Sequence, residues 1–198
     1  MTDPNDSAAY QDIAYRVRTD PSRFSSRTGA EVEEGAIRVR YFGSLYRIDP
    51  ESQAWDPPDL SDYERRLVLH YLAGGGSVEL TDQHTTFQSL PNGMFYYGPF
   101  RRRSVDRLIP VFGEKPDLFR DSLRRVGAAE TTDGDVGARF QVLPHIDVVV
   151  VLHAGDDEFP PEMKMLLPRH ITGFLPLEDV AVLAGLVASR LIRSTRTE

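Results

Sequence analysis

The feature that most constrains the fold is the segment from His145 to His153, in which four consecutive valines follow Asp147. β-branched side chains favour strands, and an apolar run of this length is typical of a strand covered on both faces. Phe140–Leu143 precedes it, and we predict that the two segments are the core strands of a sheet. Gly155–Asp157 is the predicted turn after the second strand. Glu162–Leu167 is then a partner strand, although its two methionines leave a helix open.

Shorter patterns predict the remaining elements. Ile37–Phe42 alternates apolar and charged residues and Leu45–Ile48 follows a Gly-Ser turn, which indicates an antiparallel hairpin. Ser61 with Glu64 forms the pattern of a capping box at a helix start. Gly74–Gly76 ends that helix, and without a nearby lysine it fits a helix exit better than a phosphate-binding loop. Apolar spacing predicts further helices over residues 8–17, 99–112, 116–126 and 177–191.

These elements predict an α+β fold with a single domain, in which a mainly antiparallel sheet is covered by about four helices. The last of them is a C-terminal amphipathic helix. A chain of 198 residues is long enough to bury one core. We expect residues 1–7 to be a disordered N-terminal tail, residues 8–192 a single globular domain and residues 193–198 a polar C-terminal tail.

Composition excludes several classes of function. The chain has no cysteine, which excludes disulfides, thiolate zinc sites, a cysteine nucleophile and a cysteine-ligated iron–sulfur cluster. The net charge of −7 disfavours binding to nucleic acid. The longest apolar run, Val148–Leu152, is too short to span a membrane. Because the polar N-terminus has no basic start and no apolar run, we expect a cytoplasmic location.

Three blocks of sequence occur in a recognisable order. They are Leu69-His70-Tyr71-Leu72, Leu143-Pro144-His145-Ile146 with the later Gly155-Asp156-Asp157-Glu158-Phe159-Pro160, and Leu175-Pro176-Leu177-Glu178-Asp179-Val180. Over roughly Leu67–Leu191 the chain resembles a prokaryotic family known as domain of unknown function 3786. Some members are described as iron–sulfur proteins, and the family is associated with anaerobic and corrinoid metabolism. The resemblance implies a shared fold and site but no activity. Because this chain has no cysteine, the resemblance does not imply a cysteine-ligated cluster here.

The densest group of candidate site residues follows the core strand. His153, Asp156, Asp157 and Glu158 place an imidazole and three carboxylates within six residues, where a buried strand enters a turn. Oxygen-rich ligands suit Mg²⁺, Ca²⁺ or Mn²⁺, so His153, Asp156 and Glu158 are candidate metal ligands. Alternatively, the aspartates shape the turn and Glu158 accepts hydrogen bonds from the backbone or from arginine.

Other residues add to the candidate set. His70, Tyr96, Phe100 and Phe159 are candidate ligand-binding residues beside the acidic turn. Arg101–Arg103, at the predicted beginning of a helix, opposes the helix dipole, which indicates either an anion or acidic partner or a solvated face. Glu178 and Asp179 are either paired carboxylates for acid–base chemistry or partners of the dipole at a helix start.

Three functions fit these patterns. The first is a non-catalytic accessory domain that uses the Asp156–Glu158 turn and nearby aromatic residues to bind a small molecule, a cofactor or a partner protein. The second is a metal-assisted enzyme, which requires His153, Asp156 and Glu158 to converge on one point. The third is a structural or oligomerising module with an exposed apolar patch. The sequence identifies no cofactor and leaves the oligomeric state open.

Overall fold

Two antiparallel sheets form the framework of the computed structural model, which describes residues 4–76 and 78–196. The strands are β1 (Glu31–Glu33), β2 (Ala36–Tyr41), β3 (Ser44–Asp49), β4 (Ala54–Asp56), β5 (His84–Thr86), β6 (Ala129–Thr131), β7 (Val136–Leu143), β8 (Ile146–His153) and β9 (Glu162–Pro168). One sheet has the order β1-β2-β3-β4 and the other the order β5-β9-β8-β7-β6. Their antiparallel pairing confirms the predicted fold class, and Glu162–Leu167 is a strand as expected.

The helices are α1 (Pro4–Thr19), α2 (Pro21–Thr28), α3 (Asp62–Ala73), α4 (Gly93–Arg103), α5 (Val105–Phe112), α6 (Pro116–Arg125) and α7 (Leu177–Arg193). The amphipathic C-terminal helix α7 is confirmed. Among residues 4–76 and 78–196, no helix combines the length and the apolar character that crossing a bilayer requires. Of the predicted tails, residues 1–3 and 197–198 lie outside the described residues, and α1 already begins at Pro4.

The chain divides into two compact units. The first comprises residues 1–80, 141–146 and 173–175, and the second comprises residues 81–140, 147–172 and 176–198. The division into two sheets and two units is not visible in the sequence pattern, because one hydrophobic period describes the strands of both.

In the first unit, the hairpin of β2 and β3 forms as the alternation predicts. Ile37, Val39 and Tyr41 are buried while Arg40 is exposed. Tyr41 pairs with Ser44, so the turn between them has two residues. Phe42 and Gly43 both have positive φ, at 47° and 80°, which is the backbone of the turn that suits the twist of a tight hairpin.

The predicted capping box at the start of α3 is also confirmed. The Ser61 hydroxyl accepts from the N–H of Glu64 at 3.4 Å, and the Glu64 carboxylate accepts from the N–H of Ser61 at 3.2 Å. α1 packs against α3 and against α2. The three N-terminal helices of this unit are therefore anchored to one another.

In the second unit, β8 is the central strand of its sheet. Val148 to Val151 are all buried, so both faces of the strand are covered, as the valine run predicts. α7 packs against α4, α5 and α6.

The single helix predicted over residues 99–112 is wrong. Ser104 leaves the helical conformation, with φ −118° and ψ −98°, and separates α4 from α5. Pro99 lies inside α4 rather than in a first turn, although proline there removes one helical hydrogen bond. The packing of α4 against α7 outweighs this local cost.

Candidate functional site

The predicted acidic turn lies between β8 and β9 and faces water. The Asp156 carboxylate accepts hydrogen bonds from the backbone N–H groups of Glu158, at 2.9 Å, and of Phe159, at 2.7 Å. These two bonds hold the pKa of Asp156 below its ordinary value, that from Phe159 having the larger effect. The Asp156 N–H in turn donates to the Phe159 carbonyl at 3.0 Å. The carboxylate of Asp156 therefore shapes its own turn.

The arrangement required for a metal centre is not present in the described residues. No three His, Asp or Glu side chains of residues 4–76 and 78–196 are grouped so that they could hold a metal ion. His153, at the end of β8, is half-buried, while Asp156, Asp157 and Glu158 are exposed. His153, Asp156 and Glu158 belong to no such group among the described residues, and their role as metal ligands stays a prediction.

The other predicted site residues occupy varied environments. His70 is half-buried in the last turn of α3, and Tyr96 is half-buried in α4. Phe100 is buried and stacks on Phe87, with ring centroids 4.3 Å apart, so it belongs to the core. Phe159 is 67% exposed. The binding of a ligand by this set of residues remains a prediction.

Arg101–Arg103 requires a correction. These residues form the last turn of α4 rather than the beginning of a helix, because α4 starts at Gly93. Cations at a helix C-terminus interact favourably with the dipole, so the predicted conflict does not exist. Arg101 also pairs with Asp106, with Nη to Oδ1 at 2.6 Å. Glu178 and Asp179 do lie in the first turn of α7, the position in which they complement the dipole.

A cavity in the first unit has a composition that the sequence did not reveal. It has a volume of about 240 Å³ and lies among α1, α2 and the end of α3. It is lined by Arg16, Thr19, Asp20, Arg23, Phe24, Arg27, Thr28, Leu72 and Gly74. Three of these nine residues are arginines, and one, Asp20, carries a carboxylate. None of the predicted site residues is part of this lining.

Two of the arginines fasten the glycine-rich exit of α3. Arg16 donates to the carbonyl of Ala73 at 2.8 Å, and Arg27 donates from Nε to the carbonyl of Gly75 at 2.8 Å. The C-terminus of a helix carries partial negative charge, so both cations are favourably placed. Gly74 is required there, because a Cβ at this position would collide with the backbone of Phe174. The predicted helix exit is thus held by side chains from α1 and α2.

Arg23 differs from its neighbours. Its main-chain N–H donates to the Asp20 carboxylate at 3.0 Å, which caps α2. Its guanidinium makes no hydrogen bond or ion pair with any residue in the described part of the chain. Arg23 and Arg27 are four residues apart, so they lie on the same face of α2. Burial, and then repulsion from Arg16 and Arg23, lowers the pKa of Arg27, while Asp12 opposes this shift.

A buried network supports the cavity from behind. The Tyr71 hydroxyl donates to the carbonyl of Thr28 at 2.7 Å and accepts from the N–H of His145 at 3.1 Å. Burial raises the pKa of Tyr71, and its ring stacks on Phe174 with centroids 5.0 Å apart. Thr28 is itself a lining residue. Tyr71 therefore fixes the end of α2 against the loop that contains His145.

Sequence reasoning missed α2, although three signals were present. Asp20 is a favoured N-cap, Pro21 suits the first helical position, and Gly29 ends the helix with φ +65°. Apolar spacing did not indicate the helix, because Phe24 is the one large apolar side chain within it. A Cβ on Gly29 would also lie 2.6 Å from the Cβ of Pro144.

A charged group in the second unit was also missed. His84 lies in β5, and its Nε2 is 3.1 Å from Oδ2 of Asp147. Arg139 reaches the same oxygen at 3.2 Å. No spacing in the sequence links His84 to β8, because the pair forms only when β5 and β8 lie on either side of β9.

Comparison with known proteins identifies the family. The model of the family described as domain of unknown function, DUF3786, matches residues 20–190. The chain belongs to this family. The DUF3786 match confirms the resemblance and begins earlier than the Leu67–Leu191 region that carried it. It includes α2 and the end of α3, and among the lining residues only Arg16 and Thr19 precede it. Searches of curated proteins and of solved structures gave no match.

Proposed function

We propose that this protein is a non-catalytic binding domain that takes up a small anionic ligand in the cavity lined by Arg16, Arg23 and Arg27. The observation that carries the proposal is one concave space of about 240 Å³ lined by three arginines, of which Arg23 and Arg27 have no carboxylate partner among the described residues. Guanidinium groups recognise carboxylate and phosphate through paired N–H donors. A ligand site is a concavity with a few convergent polar groups, and this cavity fits that description.

The spacing of the arginines supports an anion. Like charges four residues apart destabilise a helix by about 0.2–0.5 kcal/mol, and Arg23 and Arg27 form such a pair on α2. A bound anion converts this repulsion into two attractive interactions. Without a ligand this repulsion lowers the stability of the fold. The arrangement of Arg23 and Arg27 therefore fits ligand binding better than a role in folding.

The lining residues also favour binding over catalysis. The two hydroxyl groups are those of Thr19, which donates to Tyr15, and of Thr28, which donates to Phe24, both at 2.8 Å to a backbone carbonyl. Neither is paired with a base, as a nucleophile would be. Asp20 caps α2 through its contact with the N–H of Arg23.

The test is calorimetric titration of the whole chain with inorganic phosphate and with citrate. We expect saturable binding in the wild type, a loss of about tenfold or more in affinity in Arg23→Gln, and no change in Arg18→Gln. Arg18 is the matched control because it lies on α1, is exposed and pairs with Glu51 at 3.3 Å. Arg23→Gln removes no hydrogen bond to a described residue, so its fold is retained.

Two results would overturn the proposal. One is the absence of binding to either anion. The other is binding that survives unchanged in Arg23→Gln, which would place the ligand outside the cavity lined by the arginines.

A further inference from the structure

Of the three arginines of the cavity, one is neutralised by a carboxylate and two have no ion-pair partner among residues 4–76 and 78–196. Arg16 contacts both carboxylate oxygens of Asp12, with Nε to Oδ1 at 3.1 Å and Nη2 to Oδ2 at 2.7 Å. Its remaining terminal nitrogen, Nη1, is bound to the carbonyl of Ala73. All three nitrogens of Arg16 are thus occupied, and this residue joins α1 to the end of α3.

Arg23 and Arg27 keep their charge available. Among the described residues, neither guanidinium lies within ion-pair distance of a carboxylate, and Arg27 spends only Nε on a backbone carbonyl. The terminal nitrogens of both residues are left to meet a ligand. One guanidinium can bind two oxygens of one carboxylate or phosphate side by side, so a single negative charge satisfies one of the two arginines.

Resting on the proposed function, we infer that the ligand carries two negative charges, as a phosphate monoester or a dicarboxylate does, and that Arg23 and Arg27 bind it together. Asp20 is the one carboxylate among the lining residues, and its charge opposes that of the ligand. Asparagine is as good an N-cap as aspartate, so Asp20→Asn removes this opposing charge while α2 keeps its cap.

The experiment compares two pairs of probes at pH 7.5 by calorimetry. Methyl phosphate is almost fully a dianion at this pH, since the second pKa of a phosphate monoester is about 6, whereas dimethyl phosphate is a monoanion. Succinate and its monomethyl ester provide the same contrast in carboxylate chemistry. We expect one dianion to bind about tenfold or more tightly than its monoanionic partner. The pair that shows this preference identifies the ligand as a phosphate monoester or as a dicarboxylate.

Variants test the assignment to residues. Arg23→Gln and Arg27→Gln are each expected to abolish the preference for the dianion, Arg27→Lys to restore part of it, and Asp20→Asn to raise the affinity severalfold. Circular dichroism and thermal melting establish that each variant is folded. The preference for a dianion weakens as salt is added, since ions screen the contact.

The outcomes separate this inference from the proposed function. If monoanion and dianion bind equally and both depend on Arg23, the cavity binds anions but the assignment of a doubly charged ligand is wrong. If the preference for the dianion persists in both Arg23→Gln and Arg27→Gln, the assignment to these residues is wrong. If no probe binds in an Arg23-dependent way, the proposed function itself fails.

Discussion

The cavity of the first unit and the acidic turn of the second both concentrate charge, but they use it in opposite ways. At the turn, the carboxylate of Asp156 is occupied by two N–H groups of its own backbone, and its acidic neighbours face water. In the cavity, the side chains of Arg23 and Arg27 have no carboxylate partner among the described residues. Arg16 and Arg27 are also half-buried.

Under the proposed function, the difference teaches that density of charge along the sequence is a poor guide to the site. Neighbouring carboxylates in an exposed turn are solvated, so they lose little free energy when no ligand is present. Arg27 is half-buried and is repelled by Arg23, which is exposed on the same face of α2, whereas the charge of Arg16 is balanced by Asp12. Under the proposed function, the two arginines without a carboxylate partner among the described residues mark the site, and the run of charges in the turn does not.

The largest effect on the free energy of unfolding is expected from Tyr71→Phe, which removes the hydroxyl behind the cavity. The carbonyl of Thr28 and the N–H of His145 lose their shared partner, and an unsatisfied buried group costs about 1–3 kcal/mol. Urea denaturation measures the free energy of unfolding. Tyr63→Phe is the control, because Tyr63 lies on the same helix and is 72% exposed. Equal free energies of unfolding in the two variants would show that the hydrogen bonds of the Tyr71 hydroxyl do not stabilise the fold behind the cavity.

A smaller effect is expected from Asp20→Ala. The variant loses the N-cap of α2 and should lower the free energy of unfolding by about 0.5–2 kcal/mol. Asp157→Ala, an exposed aspartate of the acidic turn, should change it by less than about 0.5 kcal/mol. Thermal or urea unfolding measures the loss of stability in each variant. A larger loss in Asp157→Ala than in Asp20→Ala would mean that the acidic turn, not the cap of α2, contributes more to the free energy of unfolding.

Asp156 provides a test by pH. Because hydrogen bonds in the folded state lower the pKa of Asp156, the group stabilises the fold above its unfolded pKa of about 3.9. This contribution is lost as the pH falls through the lower, folded value. Titration followed by NMR should give a pKa for Asp156 below that of an unfolded aspartate. A value at or above the unfolded one would mean that the turn does not hold this carboxylate.

The smallest effect is expected from divalent metal at the acidic turn. Calorimetric titration with Mn²⁺ or Mg²⁺ should give the same heat in the wild type and in Asp156→Asn, since the side chains around residue 156 form no three-ligand group in the described residues. Saturable binding that disappears in Asp156→Asn would restore a metal site at the turn.

Local signals predicted much of the fold. The alternation in β2 and β3, the capping box at Ser61 and the valine run of β8 each produced the expected element. The break at Ser104 and the early start of α4 were missed because they depend on packing rather than on spacing. α2 was missed because it contains one large apolar residue, Phe24, so apolar spacing gave no helical pattern, although proline at its first position favours a helix start.

The sequence by itself determined the fold class, the core strand of valines and the absence of cysteine chemistry, because hydrophobic period, β-branching and composition are properties of the chain alone. Only the tertiary structure decided which charges meet. The arginines at positions 16, 23 and 27 come from two helices, and they line one cavity because α1, α2 and the glycine exit of α3 fold around the same space. The four-residue spacing of Arg23 and Arg27 puts both on one face of α2, but no pattern in the sequence encodes the packing of separate elements that makes the space concave.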